Sequence, residues 1–344
     1  MPDYGSKIAD KAIDQTARKI RDVYKDAGYD LRDKFDAFLK RHKAKGAEML
    51  KKLRDGEITQ AEYHRWMRGQ VFVGKQWERK IDQVSRIMDD ANREAVMVVR
   101  QGSFDVFAEN YNYAAYQLEK RVKGVVSFDL YNQESVARLV KKNPKMLPEW
   151  KINERKDYAW NRKKVENAIT QGIIQGEGID EITDRLSNSL ITTNESKMRT
   201  FSRTAMTGAQ NAGRLKQMED AEEEGIKVKK KWVATLDNRT RDTHADLDGQ
   251  IVDYDEPFEV DGKEIMFPGD PSCGYPELVY NCRCSMIEVY EGIDRKTSRR
   301  AYYDDDEQAE IDEERGDGKH HRDSYIVEDM TYNEWKEWKK GRGK

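Results

Sequence analysis

The chain has 344 residues, of which 37% are hydrophobic and 37% are charged. This composition favours long solvated helices over one large core, and the length allows two or three domains of roughly 100 to 200 residues each. With 62 basic and 65 acidic residues the net charge is -3, so a prediction of nucleic-acid binding has to rest on local patches rather than on the global charge.

The N-terminus carries no apolar segment of the kind that a secretory signal needs. No run approaches the roughly 18 apolar residues of a membrane span, so we expect no membrane segment. We therefore expect a protein made and used inside a cell, or built into a particle assembled there. Three cysteines in such a chain do not predict a disulfide scaffold.

Residues 1–123 are predicted to form a helical N-terminal domain. Ile13, Ala17, Ile20 and Tyr24 recur at helical spacing, with charged residues on the other faces. Further along, Thr59 and Glu62 make the capping box that starts another helix. Two longer helices are predicted to follow, over 74–99 and 103–122.

A connector is predicted over 124–156, with a strand-like segment "VVSFDLY" and one short helix, "QESVARLVKK". The helical pattern resumes over 157–226. In its last helix, small residues share one face that lets another backbone approach closely; they are Ala205, Gly208, Ala209, Ala212 and Gly213. Arg199, Arg203 and Arg214 are predicted on a solvated or ion-paired face, with phosphate contact as the alternative.

Residues 227–291 are predicted to form a small α+β module. "KVKKKWVATLD" and "SMIEVYE" read as strands, and "FEVDGKEIMF" reads as a hairpin with a type I′ Asp-Gly turn. The charge-dense segment 292–344 predicts a flexible, solvated tail or a lone helix, with docking of its tryptophans on a partner or on nucleic acid as the less favoured alternative. The predicted fold class is α+β: an elongated, mostly helical N-terminal region, then a small C-terminal module with a short antiparallel sheet.

Chemistry-capable residues gather in one part of the chain. In an extended strand Cys282 and Cys284 point to the same face, and a loop carrying His244 can fold over them, with Cys273 completing a set of one histidine and three cysteines. Such a set suits a structural zinc ion. Zinc-binding cysteines usually have two to four residues between them, so the preferred interpretation is structural thiols that pack the strand under the loop, with zinc as the alternative.

The same residues allow two further chemistries. A disulfide within C-x-C is disfavoured by the geometry of an extended strand. A cysteine nucleophile with His244 as its base needs an activated thiolate, an orienting partner and an oxyanion hole, and no second motif supplies them. We therefore predict no catalytic or cofactor-binding residues, and a structural protein rather than an enzyme.

The order of the motifs resembles the phage Mu F-like minor head proteins, also called head morphogenesis proteins. The shared pattern is a helix with an Arg-Thr pair and small residues, a Trp strand, a D-x-R-T-R-x-x-H loop, a P-G-D turn and a closing N-C-R-C. The positions that we assign to its structural motif are Trp232, Asp237, Arg239, Arg241, Asn281 and Arg283. The match covers about 165–289. Ala205 follows the Arg-Thr pair where the family often has an acidic residue.

The resemblance implies a low-copy virion protein of a tailed bacteriophage, located in the head interior or at the portal vertex and assembled in the host cytoplasm. Its implied partners are the portal protein, the major capsid protein or the scaffolding protein. Roles in head morphogenesis and in DNA packaging or ejection follow from the same resemblance. The alternative function is a DNA-binding accessory protein that contacts packaged double-stranded DNA through "KVKKKW", the helix arginines and the lysine-rich end.

Overall fold

The computed structural model describes residues 4–71, 75–122, 126–149, 154–175, 177, 179–236, 239–290, 299–302, 309–310, 312–313, 316, 324–327 and 332–342. The helices are α1 (Tyr4–Arg54), α2 (Gln60–Val71), α3 (Lys75–Arg121), α4 (Gln133–Lys142), α5 (Glu154–Gln175), α6 (Ile179–Glu223), α7 (Asp242–Asp246), α8 (Pro276–Val279) and α9 (Tyr332–Arg342). None of the helices in this part of the chain contains an apolar stretch long enough to cross a bilayer.

The strands are β1 (Val228–Val233), β2 (Ile251–Asp253), β3 (Phe258–Val260), β4 (Lys263–Ile265), β5 (Ser285–Tyr290), β6 (Arg299–Tyr302) and β7 (Ser324–Val327). They form an antiparallel sheet in the order β2-β1-β5 and two antiparallel pairs, β3-β4 and β6-β7. The predicted α+β class, with a long helical N-terminal region and short antiparallel sheets, is confirmed.

Two compact units make up the chain. The first unit comprises Met1–Ile13, Arg100–Glu149 and Arg203–Lys344, and the second comprises Asp14–Val99 and Trp150–Ser202. Each unit thus combines segments that are distant in sequence, with three boundaries inside α1, α3 and α6 and one after Glu149. The predicted division into five consecutive segments, 1–123, 124–156, 157–226, 227–291 and 292–344, stays a prediction.

The second unit is a helical assembly with an apolar core and a few buried polar links. Ile20 and Leu31 of α1 are fully buried, as are Val84 and Met88 of α3. The capping box is confirmed: the backbone N–H of Thr59 donates to Glu62 Oε2 at 2.8 Å, and the N–H of Glu62 donates to Thr59 Oγ1 at 3.2 Å. These reciprocal bonds satisfy two of the N–H groups that a helix start leaves unpaired.

Helix α3 corrects the prediction of two separate helices over 74–99 and 103–122. The chain is helical without a break from Lys75 to Arg121. The glycine between the predicted pieces, Gly102, does not interrupt it, because an isolated glycine costs a helix only about 1 kcal/mol relative to alanine.

The predicted strand "VVSFDLY" is wrong in the part that the structure describes, residues 126–131. Its backbone bonds to side chains of α3 instead of to another strand. Asn112 accepts from the Tyr131 N–H at 2.8 Å and donates to the Tyr131 carbonyl oxygen at 2.9 Å, while Glu119 accepts from the Phe128 N–H at 2.8 Å. The segment is extended because these side chains replace a neighbouring strand.

The β3-β4 hairpin confirms the predicted turn. Asp261 and Gly262 have φ values of 51° and 70°, and a type I′ turn needs positive φ at both central positions. The hairpin places Phe258 edge-on against Trp232, with ring centroids 5.2 Å apart. Both side chains are fully buried, so they form part of the core of the small module.

The C-terminal helix α9 corrects the expectation of a solvated tail. Trp335 is fully buried and donates from Nε1 to Glu119 Oε2 at 2.8 Å, and its ring lies 5.7 Å from that of Tyr116. Lys339 pairs with the same buried carboxylate at 2.9 Å. The helix therefore docks on α3 within the first unit through the side chains of Trp335 and Lys339.

Candidate metal centre

One face of α6 carries polar side chains that hold the segment leading into β5. Their spacing of three and four residues places them in a row along the helix; they are Thr204, Thr207, Asn211 and Arg214. Except for this row, the face is built from small residues. A Cβ placed on Gly208 would lie 2.8 Å from the carbonyl oxygen of Gly269, so the predicted close backbone approach is present.

The first half of the row binds the two residues that open the cysteine segment. Thr204 Oγ1 accepts from the N–H of Asn281 at 3.2 Å, and Thr207 Oγ1 donates to the carbonyl oxygen of Cys282 at 2.9 Å. Asn281 has a φ of 55°, a left-handed conformation that asparagine tolerates better than most residues. The asparagine of the N-C-R-C motif thus turns the chain just before the first thiol.

The second half of the row binds the end of the segment. Asn211 donates to the carbonyl oxygen of Cys284 at 3.4 Å and accepts from the N–H of Met286 at 2.9 Å. Arg214 Nη1 donates to the carbonyl oxygen of Met286 at 2.6 Å. Arg214 is buried, so its predicted place on a solvated or ion-paired face is wrong. The carbonyl oxygen of Met286 and the amide oxygen of Asn110 accept from its guanidinium in place of water.

This backbone arrangement turns both thiols inward. Cys282 and Cys284 are buried, whereas Arg283 between them is exposed, as expected for alternating side chains. The imidazole of His244, from α7, is buried beside them. Its Nδ1 lies 3.2 Å from Cys284 Sγ and 3.7 Å from Cys282 Sγ, and the ligand atoms of the three residues all lie within 4.8 Å of one another.

The fourth predicted ligand, Cys273, does not belong to this group. Its Sγ accepts from the N–H of Tyr275 at 3.4 Å and lies 3.8 Å from the carbonyl oxygen of the same residue. The Cys273 thiol stays in its own loop because the backbone of Tyr275, two residues further along the chain, provides its hydrogen-bond partners. The structure therefore brings together three of the four residues predicted to bind zinc.

The two buried thiols have opposite tendencies to ionise. A hydrogen bond from Cys282, and then the contact with His244, lower the pKa of Cys284 to about 5 against the opposing effect of burial. The same hydrogen bond and burial raise the pKa of Cys282 well above its usual value. A thiolate at Cys284 beside an imidazole is the donor chemistry that zinc prefers, and it is also the chemistry of a nucleophilic cysteine.

Arg241 and Trp232 border the cluster. Arg241 Nη2 donates to the carbonyl oxygen of Tyr280 at 2.6 Å, while Nη1 lies 3.4 Å from His244 Nε2. The Trp232 ring meets the His244 ring edge-on at 6.1 Å. The imidazole is thus held between a guanidinium and an indole, which limits its rotation.

The cluster faces a cavity of about 1290 Å³ in the first unit. His244, Cys282 and Cys284 all line it. So do six cationic side chains and two carboxylates: Lys120, Arg121, Arg203, Arg239, Arg241 and Arg283, with Asp10 and Glu288. Cations therefore outnumber carboxylates among the side chains that line the cavity.

The motif residues predicted from the sequence have distinct positions. Trp232 is buried in β1, and Arg239 is exposed at the cavity. The carbonyl oxygen of Arg283 accepts from Thr235 Oγ1 at 2.8 Å, which ties the cysteine segment to the loop after β1. Asp237 lies outside the described residues.

Sequence reasoning missed the polar row on α6. Its signal is present in "RTAMTGAQNAGR", where hydrogen-bonding residues recur every three or four positions among small residues. Polar side chains on a face that permits close backbone approach are well placed to bind a neighbouring backbone.

A comparison with known protein families matches the part of the chain that contains this site. Residues 163–287 match the family described as phage Mu protein F like protein, and this range contains the polar row, His244 and both cluster cysteines. The predicted resemblance is confirmed. The Mu F-like region thus carries the complete candidate metal centre.

Individual relatives extend the similarity beyond that region. The chain is 26% identical over 336 residues to minor head protein GP7 of Bacillus phage SPP1, with 97% of this chain and 96% of the relative covered. It is 30% identical over 214 residues to NAD(+)--arginine ADP-ribosyltransferase EFV of Enterococcus faecalis, covering 62% of this chain and 43% of that protein. YqbB, an uncharacterized protein of Bacillus subtilis, is 32% identical over 131 residues, which is 37% of this chain and 41% of YqbB. No solved structure matches the chain.

Proposed function

We propose that this chain is a minor head protein of a tailed bacteriophage, with a structural role in head morphogenesis. The observation that carries the proposal is the similarity to minor head protein GP7, which covers 97% of this chain and 96% of that protein. An alignment of this extent includes both compact units, so it supports a shared role of the whole chain and not of one module alone.

Quantitative mass spectrometry of purified particles tests this role. We expect a few copies of the chain per particle, since a minor head protein is by definition far less abundant than the shell subunit. The protein's presence in infected lysate together with its absence from purified particles would overturn the proposal.

The finer proposal places the protein at the portal vertex, in the head interior, with the portal protein as its principal partner and assembly in the host cytoplasm. Cross-linking of intact particles followed by mass spectrometry should give cross-links to the portal protein. Cross-links to the major capsid or scaffolding protein alone would contradict this placement while leaving the head-protein role intact.

A structural role also has to account for the relative named as an ADP-ribosyltransferase. The similarity spans 43% of that protein, so more than half of its length lies outside the matched part. We infer that the shared part is a module common to both chains and that this chain transfers no ADP-ribose. Incubation with labelled NAD and arginine-containing acceptors should leave the acceptors unlabelled; stoichiometric labelling would refute the inference.

Binding of double-stranded DNA during packaging or ejection is the second candidate function. The excess of cations over carboxylates around the 1290 Å³ cavity supports it. Binding through phosphates releases counterions, so the affinity should fall steeply with salt. The double variant Arg203→Ala/Arg283→Ala should weaken binding and reduce the salt dependence, whereas Lys141→Ala/Lys142→Ala, on exposed positions of α4, should not; equal effects of the two pairs would contradict a role of the cavity.

A further inference from the structure

We propose that His244, Cys282 and Cys284 bind one zinc ion and leave its fourth coordination position open to the cavity, where a small anion can bind. The proposal is independent of the role in the phage head. It replaces the closed four-ligand site predicted from the sequence with a three-ligand site that exchanges its fourth ligand.

The distances between the donor atoms fit a tetrahedral zinc ion. Zinc–sulfur bonds of about 2.3 Å and zinc–nitrogen bonds of about 2.0–2.1 Å place nitrogen and sulfur roughly 3.6 Å apart at the tetrahedral angle. The observed separations of His244 Nδ1 from the two Sγ atoms, 3.2 and 3.7 Å, lie on either side of that value. A metal ion would therefore fit between these atoms with movements of a few tenths of an ångström.

The surrounding structure holds the donors in place before any metal binds. Thr207 and Asn211 of α6 bond to the carbonyl oxygens of Cys282 and Cys284, so the backbone that carries both thiols is fixed to a helix. Trp232 packs edge-on against His244. Contacts of this kind around the ligands orient them and raise metal affinity.

The donor set selects zinc over the hard divalent cations. Thiolate and imidazole are preferred ligands of zinc, whereas magnesium and calcium take oxygen ligands. Two thiolates also neutralise the charge of the ion. This lowers the free-energy cost of burying the ion beside the Arg241 guanidinium. With Nδ1 on the metal, the ring proton occupies Nε2, so Nε2 no longer accepts from Arg241 Nη1, 3.4 Å away, and that nitrogen has to move off while Nη2 keeps its bond to the Tyr280 carbonyl oxygen.

The fourth position is open because the three ligands line the cavity and, among the described residues, no further Cys, His, Asp or Glu joins their group. Three protein ligands and one exchangeable ligand are the arrangement of zinc sites that bind a water or a substrate, whereas structural sites use four protein ligands. The six cations around the cavity favour an anion at that position.

Metal analysis of the purified full-length chain tests the site. We expect one zinc per chain in the wild type and in Cys273→Ser, which removes the thiol outside the cluster. Cys282→Ser, Cys284→Ser and His244→Gln should each lose most of the zinc. Substoichiometric zinc in the wild type after incubation with excess zinc and desalting would overturn the proposal, and this result does not depend on the folding of any variant.

Cobalt substitution of the wild type and of Cys273→Ser tests the open position. A thiolate-to-cobalt absorption band should appear in both proteins, and azide should shift the visible cobalt bands of both to the same extent. Cobalt bands that azide leaves unchanged in the wild type but shifts in Cys273→Ser would show that Cys273 is the fourth ligand. Bands unchanged in both would show a closed site of another composition, and either result would overturn the open position.

Discussion

The guanidinium of Arg214 donates from Nη1 to the carbonyl oxygen of Met286 at 2.6 Å, and its Nε lies 3.3 Å from Asn110 Oδ1. One buried side chain thereby links α6 to both β5 and α3. Charged groups are rarely this buried unless every donor finds an acceptor. Arg214 is consequently a structural cation and not a surface contact for phosphate.

Replacing Arg214 should destabilise the first unit strongly. Arg214→Ala removes a buried side chain and leaves the Met286 carbonyl oxygen without its donor, which we expect to cost about 3 kcal/mol. Arg203→Ala, on an exposed position of the same helix, should change the free energy of unfolding by at most about 0.5 kcal/mol. Urea unfolding followed by circular dichroism measures both; similar losses in the two variants would contradict the structural role of Arg214.

Gly213 should resist replacement although it lies inside a helix. A Cβ at this position would lie 2.4 Å from the carbonyl oxygen of Phe107 in α3, so Gly213→Ala requires the helices to separate and should cost about 1–3 kcal/mol. Gly69→Ala in α2 meets nothing within 4 Å and should instead stabilise the protein by up to about 1 kcal/mol. Thermal unfolding should therefore give shifts of opposite sign, and a stabilising Gly213→Ala would refute the close approach of α6 to α3.

Lys230 should give the stability a specific pH dependence. Burial lowers its pKa from 10.5 to about 8, while Nζ donates to the carbonyl oxygen of Met266 at 2.8 Å. Between these two pKa values the unfolded chain binds more protons than the folded chain, so the free energy of unfolding rises with pH across this window. Each pKa unit corresponds to about 1.4 kcal/mol.

Urea unfolding of the wild type and of Lys230→Met across that window measures this contribution. The difference in unfolding free energy should move in favour of the wild type as the pH rises from about 8. A difference for Lys230→Met that does not change with pH would show that this ammonium loses little hydration on folding.

Trp335 should anchor α9 to α3. Trp335→Ala removes a fully buried indole and leaves the Glu119 carboxylate without one of its donors, which should cost about 3–5 kcal/mol of local stability. Trp338→Ala, on a half-buried position of the same helix, should cost much less. Limited proteolysis should cut the Trp335→Ala variant near α9 faster than Trp338→Ala; equal cleavage rates would contradict the docking.

Elements specified by nearby residues were predictable from the sequence. Helical periodicity, the Thr59 capping box and the Asp261-Gly262 turn depend on residues within a few positions of each other, and all three are present in the structure. The same-face arrangement of Cys282 and Cys284 follows from the geometry of an extended chain. These features required no knowledge of distant contacts.

The errors arose where a distant side chain decides the outcome. Residues 126–131 have strand-like composition, but Asn112 and Glu119 of α3 take the hydrogen bonds of this segment. The sequence pattern predicts Arg214 on the surface because it does not show that β5 packs beside this residue. Cys273 is near the cluster cysteines in sequence, yet the hydrogen bonds of its own loop keep its thiol apart.

The N-terminal end of α1 is built into the first unit, where Ser6 accepts a hydrogen bond from Gln210 at 3.0 Å, across 204 positions of sequence. During synthesis Ser6 leaves the ribosome before Gln210, so this end of α1 meets α6 only after α6 has been made. The first unit therefore forms late, through contacts of high sequence separation, which slow folding. Until then the apolar residues near the N-terminus stay uncovered, so a nascent chain that stalls before α6 should be a better substrate for chaperones than the completed protein.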